Sequence, residues 1–204
     1  MKQIRSVLIL ILLFGIYSCN KEKVDEEKVA FEFDSQFIVG EWYHAYGNYV
    51  EDISFLSNLK STGITYENRS SNYDVVDNIS GNWFVTSYGS VLSIDRYWKQ
   101  RNVLDKNNYS LVDKKEYYML LIDKEFGNTE SFIKIVENAK LKVGEEYSVI
   151  FLRNNSIIAS NYISSNNKIA EVSSDGRLTA KGPGIAFIRI ESNVGPMVIK
   201  IEVV

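Results

Sequence analysis

The chain holds one cysteine, Cys19, and one histidine, His44, among 204 residues, so most of its polar chemistry must come from carboxylates, hydroxyls and amides. A single histidine excludes a multi-histidine metal site or a histidine-rich catalytic cluster. A single cysteine excludes an intramolecular disulfide, which leaves apolar burial as the source of stability. Paired carboxylates can hydrolyse glycosides, and Asp74 with Asp77, or Glu51 with Asp52, are available. Closeness in sequence is not active-site geometry, however, and these charges read as solvated surface. No acidic stretch has the spaced Asp-x-Asp-x-Asp-Gly pattern of a calcium loop. His44, set among Trp42, Tyr43 and Tyr46, reads as a packed or hydrogen-bonded histidine, because a lone candidate base has no partners in the sequence. No catalytic residue, metal ligand or cofactor is therefore assigned.

The position of Cys19 is more informative than its thiol chemistry. Lys2 and Arg5 supply a basic start, Val7 to Ile16 a short apolar run, and Ile16-Tyr17-Ser18-Cys19 ends it with a small residue before the thiol. A membrane-spanning helix needs roughly twenty apolar residues, and Asn20-Lys21-Glu22-Lys23 follows this run at once. The segment resembles the lipobox of bacterial lipoproteins, with Tyr17 bulkier than the residue the pattern prefers. The resemblance implies that residues 1–18 are a signal peptide, that Cys19 is acylated, and that residues 19–36 form a polar tether. Two or more acyl chains hold a protein durably at a bilayer, each buried methylene contributing about 0.8 kcal/mol. The implied location is the cell envelope at the outer membrane. Asp25, Glu26 and Glu27 loosely match the acidic run that accompanies display on the cell surface in some lineages.

Losing the leader takes the basic count from 23 to 21 against 26 acids, a net charge of about −5. No basic stripe remains, which argues against a nucleic-acid partner. From Val39 to Val136 short runs alternate apolar and polar residues between turn formers, the signal of successive antiparallel strands. Strands are expected at 41–46, 49–55, 63–67, 82–87, 90–95, 109–112, 116–123 and 131–136. Tyr88-Gly89 and Phe126-Gly127-Asn128 supply hairpin tips. Asn68 to Ser80, polar and asparagine-rich, reads as a long connection, either a lid or a loop. Asn68, Asn78 and Asn154 fit the glycosylation acceptor pattern and read as loop chemistry.

Gly40-Glu41-Trp42, Phe55 with Gly63, Gly81-Asn82-Trp83-Phe84-Val85 and Val91-Leu92-Ser93-Ile94 together resemble the lipocalin-like domains of bacterial lipoproteins. That resemblance implies an eight-stranded barrel over residues 37–136, with the first tryptophan plugging its closed end. Such a barrel is filled by its own side chains or holds one small ligand. Trp42, His44 and Tyr46 fall on one strand face, and Tyr66 shares a face with Ile64. With Trp83 they are the candidate ligand-facing residues, core packing being the competing role for each.

The remainder carries a second resemblance. Leu141 to Glu145, Tyr162 to Asn166 and Ile169 to Ile188, the last holding Asp175-Gly176 and Gly182-Pro183-Gly184, resemble bacterial immunoglobulin-like domains of group 2, with Tyr162 where the family has a core tryptophan. Residues 137–204 are thus expected to form a β-sandwich. Ala186, Ile188 and Ile190 should face one way with Phe187, Arg189 and Glu191 opposite, and Ile199, Ile201 and Val203 repeat the scheme. The expected molecule is all-β: a lipid-anchored, noncatalytic binding module for a small molecule, glycan or protein. The alternatives are a structural or adhesive surface protein with a packed barrel and, more remotely, a carboxylate-dependent glycan hydrolase. A sandwich by itself implies no activity.

Overall fold

The computed structural model describes residues 32–69, 72–86, 89–149 and 157–204. Cys19, the leader before it and most of the expected tether lie outside the described residues. A short helix, α1 (Ser35–Ile38), precedes β1 (Gly40–Tyr46), β2 (Tyr49–Phe55), β3 (Lys60–Arg69), β4 (Asn72–Val85), β5 (Leu92–Trp98), β6 (Val103–Lys115), β7 (Tyr118–Asp123) and β8 (Thr129–Leu141). Then follow β9 (Glu146–Ser148), β10 (Ala159–Ser164), β11 (Ala170–Val172), β12 (Arg177–Ala180), β13 (Gly184–Ser192) and β14 (Met197–Val203). The described chain is almost entirely β, as expected.

Strands β1 to β8 pair antiparallel in sequence order. β1 also pairs with β8, Trp42 opposite Lys134 and His44 opposite Phe132, so the eighth strand lies back against the first. The lower half of β8 then pairs parallel with β14, from Ile135 opposite Val198 to Leu141 opposite Val203, and β13 and β10 continue that sheet. A small sheet of β11, β12 and β9 supplies the remaining strands.

The polar stretch Asn68 to Ser80 is not a long connection. β3 and β4 pair through it, Asn68 opposite Tyr73 and Thr65 opposite Asp77, up to the tip at residues 70–71, which lie outside the described residues. Its polar side chains are compatible with a strand because Asp77 is buried on four hydrogen-bond donors: the N–H groups of Asn78, Gln100 and Arg101 and the Arg101 guanidinium. Asn68 and Asn78 accordingly sit on strands, not loops. The reading of Glu51, Asp52 and Asp77 as solvated charges is also corrected: all three are buried, and only Asp74 of that group is exposed.

Three apolar clusters fill the fold. Trp42, Ile53, Phe55, Trp83, Leu92, Ile94, Leu121 and Phe132 form the first, inside the β1–β8 ring of pairings. Phe33 and Ile38 join it, so the chain is part of the folded core from Phe33 onward. Asp34 caps α1 by accepting from the Gln36 N–H (2.9 Å), and the carbonyl of Ile38 takes the Trp42 indole proton (2.7 Å). Gly81 lets β4 approach β5, since a Cβ there would lie 1.8 Å from the Asp95 carbonyl oxygen.

The second cluster draws its residues from both sheets of the C-terminal part. Ala186, Ile188, Ile190, Ile199, Ile201 and Val203 meet Leu178, Ala170 and Ile169 there, following the alternation read from sequence. Gly176 takes φ +81° at the β11–β12 turn, and the half-buried ring of Tyr162 lies directly over it. The third cluster joins the two parts: Val50, Tyr66 and Tyr73 pack against Phe187, Val198, Ile133 and Ile135. Lys200 reaches Asp52 across the same contact. Burial raises the Asp52 pKa to about 6 although the Lys200 ammonium opposes the shift.

Phe187 is 2 % exposed and makes ring contacts with Tyr43, Tyr66 and Tyr73. Replacing Phe187 by Ala is expected to cost ~3–5 kcal/mol through lost burial and the cavity left behind, read as a lower midpoint in urea denaturation.

Candidate functional site

The interior of the β1–β8 ring is layered along its length. On β2, Phe55 and Ile53 lie toward α1 and Glu51 follows them; on β5, Leu92 and Ile94 are followed by Arg96 and Trp98; on β6, running the other way, Asp105 and Asn107 precede Tyr109 and Leu111. Strand alternation keeps each series on one face. The α1 end is therefore apolar and the opposite end polar.

Arg96 organises the polar end. It is 4 % exposed, donating through Nη1 to Glu51 Oε2 (3.1 Å) and through Nη2 to Asn107 Oδ1 (2.8 Å) and the Tyr109 hydroxyl oxygen (2.9 Å). Its Nε has no hydrogen-bond acceptor among the described residues. Glu51, fully buried, also accepts from the Tyr46 hydroxyl (3.1 Å) and the Trp98 indole (3.2 Å). Burial pushes the Glu51 pKa up, but the His44 contact and the Arg96 charge outweigh it and hold the group at about 2. His44 Nδ1 lies 3.5 Å from Glu51, and Nε2 lies 3.3 Å from Glu130, which accepts from Tyr109 (3.0 Å). The imidazole is stacked on Tyr46 and Phe132.

This network floors a cavity of about 400 Å³, within the range of small-molecule sites. His44 and Tyr46 of β1, Arg96 and Trp98 of β5, and Asp105 and Asn107 of β6 line it. Arg101 from the β5–β6 turn and Asn128, Thr129 and Glu130 from the β7–β8 hairpin complete the wall. Arg101 is fixed by its ion pair with Asp77 (2.9 Å) and by its position 4.9 Å over the Trp98 ring. Asp123 shapes the hairpin by accepting from the Glu125 and Phe126 N–H groups (2.7 and 2.9 Å), and it anchors Asn107 (3.0 Å). Burial raises the Asp123 pKa, but those backbone donors and Asn107 lower it further, so the net shift is downward.

The residues expected to face a ligand divide among three places. His44 and Tyr46 are in the cavity wall. Trp42 and Trp83 lie in the apolar layer, and Trp83 also borders a second cavity, of about 710 Å³, near α1 with Phe33, Leu59 and Phe84. Tyr66 faces the opposite side of its sheet, against Phe187 at the contact between the two parts. Sequence reasoning missed Arg96, Trp98, Arg101, Asp105, Asn107 and Glu130. The signal for Arg96 was present: Leu92, Ile94, Arg96 and Trp98 form one alternating face, so a charge on it had to point inward. Among the described residues no group of three or more His, Cys, Asp or Glu side chains is placed to hold a metal ion.

Glu51 has a folded-state pKa of about 2 against an ordinary 4.5. Its contribution to stability is present above pH ~4.5 and is lost as pH falls toward 2. Glu51→Gln is expected to cost ~3–5 kcal/mol at pH 7, because Arg96 is left buried without its counter-ion, and to flatten the loss of stability between pH 4.5 and 2. Denaturant midpoints measured across that pH range for both proteins check this.

Compared with known proteins, the chain matches no family model, and no curated protein is similar to it at a significant level.

Proposed function

We propose that this chain is a lipid-anchored binding protein of the cell envelope, held at the outer membrane through acyl groups on Cys19, and that the cavity above Arg96 receives its ligand. The first eight strands are read as a lipocalin-like barrel, a reading supported by their antiparallel order and by the pairing of β1 with β8. The strands after it are read as a group 2 immunoglobulin-like sandwich, supported by the two sheets and the apolar cluster drawn from both. The observation that carries the binding role is the convergence of ten side chains from several elements on one 400 Å³ cavity, over a floor whose charges are already paired. A scaffold with no ligand has little reason to hold so many polar groups around open space, since each costs desolvation.

The packed-scaffold reading has its own support in the apolar half of the interior, where Trp42, Phe55 and Trp83 leave the cavity confined to one end. The hydrolase reading is supported less, because Glu51 and Asp77, two of the carboxylates it would draw on, are each committed to an arginine. Among the described residues no helix is long and apolar enough to cross a membrane.

Detergent phase partitioning tests the anchor: the full-length protein is expected in the detergent phase with labelled palmitate incorporated, and Cys19→Ser in the aqueous phase without label. Native mass spectrometry of gently purified protein tests the ligand. A mass adduct lost in Asp105→Ala supports binding in the cavity, whereas an adduct-free protein that binds nothing across a small-molecule library favours the packed scaffold.

A further inference from the structure

The charge balance of the 400 Å³ cavity is set by the groups that line it together with those they bond to. Arg96 is matched by Glu51 at 3.1 Å and Arg101 by Asp77 at 2.9 Å, and each pair sums to zero toward a ligand of either sign. Three further carboxylates then have no cation of their own among the described residues. Asp105 and Glu130 are in the wall, and Asp123 lies behind Asn107, held by that amide and by the N–H groups of Glu125 and Phe126. No lysine lines the cavity. His44 lies between Glu51 and Glu130, and a proton on its ring would still leave two carboxylates in excess. Exposure points the same way: the Arg96 side chain is 5 % exposed against 38 % for Asp105 and 21 % for Glu130, so around that guanidinium the acids reach open space.

The hydrogen bonds agree with the charges. Arg96 Nη1 and Nη2, the Tyr46 and Tyr109 hydroxyls and the Trp98 indole all donate to partners inside the network. Asp105 stands 3.6 Å from Arg96 Nη2, too far for a good hydrogen bond, and Glu130 takes one hydroxyl donor where an ionised carboxylate has about four acceptor sites. The free capacity is therefore acceptor capacity carrying negative charge. Stacking contributes little, because Trp98 lies under Arg96 and Arg101, and Tyr46 lies against His44 and Tyr49. Resting on the binding reading above, we infer that the cavity takes a small organic cation bearing primary ammonium groups, of the size of a short diamine. An ammonium donates three hydrogen bonds and accepts none, which matches a wall whose donors are spent. Asp105 approaches Arg96 Nη2 directly, and Glu130 reaches it through the Tyr109 hydroxyl, 2.9 and 3.0 Å away in turn, so the two carboxylates stand near enough for one diamine to meet both. Asn128 and Thr129 bring further oxygen acceptors to the rim.

The test is calorimetry on the full-length protein in nonionic detergent at low salt. Putrescine, cadaverine and spermidine serve as cations, butanediol as the uncharged analogue of putrescine, succinate as the anion, and glucose and lactose as neutral saccharides. The expected result is binding of the amines but not of butanediol, weakened by added salt and weakened roughly 10- to 100-fold in Asp105→Asn and in Glu130→Gln, the loss that follows from removing a hydrogen bond to a charged group. Glu202→Gln, which removes one acid from an exposed site on β14, is expected to bind as wild type, and equal urea midpoints establish that the variants are folded. Binding of succinate, butanediol or a saccharide that the two cavity variants weaken, with no amine bound, overturns the cation assignment and leaves the cavity as a binding site. No binding of any probe overturns both. Amine binding that neither cavity variant weakens, or that Glu202→Gln weakens equally, belongs to the acidic surface at large and overturns the inference.

Discussion

One strand, β8, belongs to two structures at once. Over residues 129–133 its backbone groups bond to β7 on one side, with β1 on the other from Phe132 to Lys134; from Ile135 to Leu141 it bonds to β14. The handover occurs within a continuous extended segment, so there is no linker about which the two parts could swing. Everything at the contact follows from this. Ile133 and Ile135 must meet Val198 and Phe187, and the outer face of β2 to β4 must cover that side with Val50, Tyr66 and Tyr73. The expected division after residue 136 falls inside this strand. A long strand shared between neighbours makes the C-terminal sheets a brace on the wall of the first eight strands.

The interior of the first eight strands faces a different constraint. Arg96 and Glu51 are both withdrawn from water, which is costly unless every polar atom finds a partner. Tyr46, His44, Trp98, Asn107 and Tyr109 provide those partners from three strands, and among the described residues all but Arg96 Nε are satisfied. This arrangement adds little to stability compared with apolar packing. It fixes the rotamers of side chains that border open space, and such preorganisation lowers the cost of ordering on binding.

The sequence was most readable where burial is one-sided and local. Tyr49–Phe55 matches β2 at both bounds, and the alternation through Ala186–Ile190 and Ile199–Val203 correctly separates the two faces. It was least readable where polar side chains go inside. Asp77 looks like a loop residue because its partners, Gln100 and Arg101, lie more than twenty positions away on another turn. Glu51 and Arg96 are 45 residues apart and become a pair only when β2 and β5 face each other across the interior. Helix α1 escaped notice because four residues carry no helical period; its signal was the capping aspartate before Ser35. His44 was recognisable as packed, but nothing in its neighbourhood disclosed that two carboxylates approach its ring from different strands.

The N–H of Phe33 bonds to the carbonyl of Gly89 (2.8 Å) beside α1, and β1 then runs seven residues, about 23 Å at the usual rise per residue, before reaching the cavity at Tyr46. The molecule thus has two poles. Chain arriving from upstream meets the fold at one, while the opening lies at the other. Phe33 and the cavity lined by Tyr46 therefore stand at opposite ends of the first strand, with the apolar layer of Trp42, Phe55 and Trp83 between them.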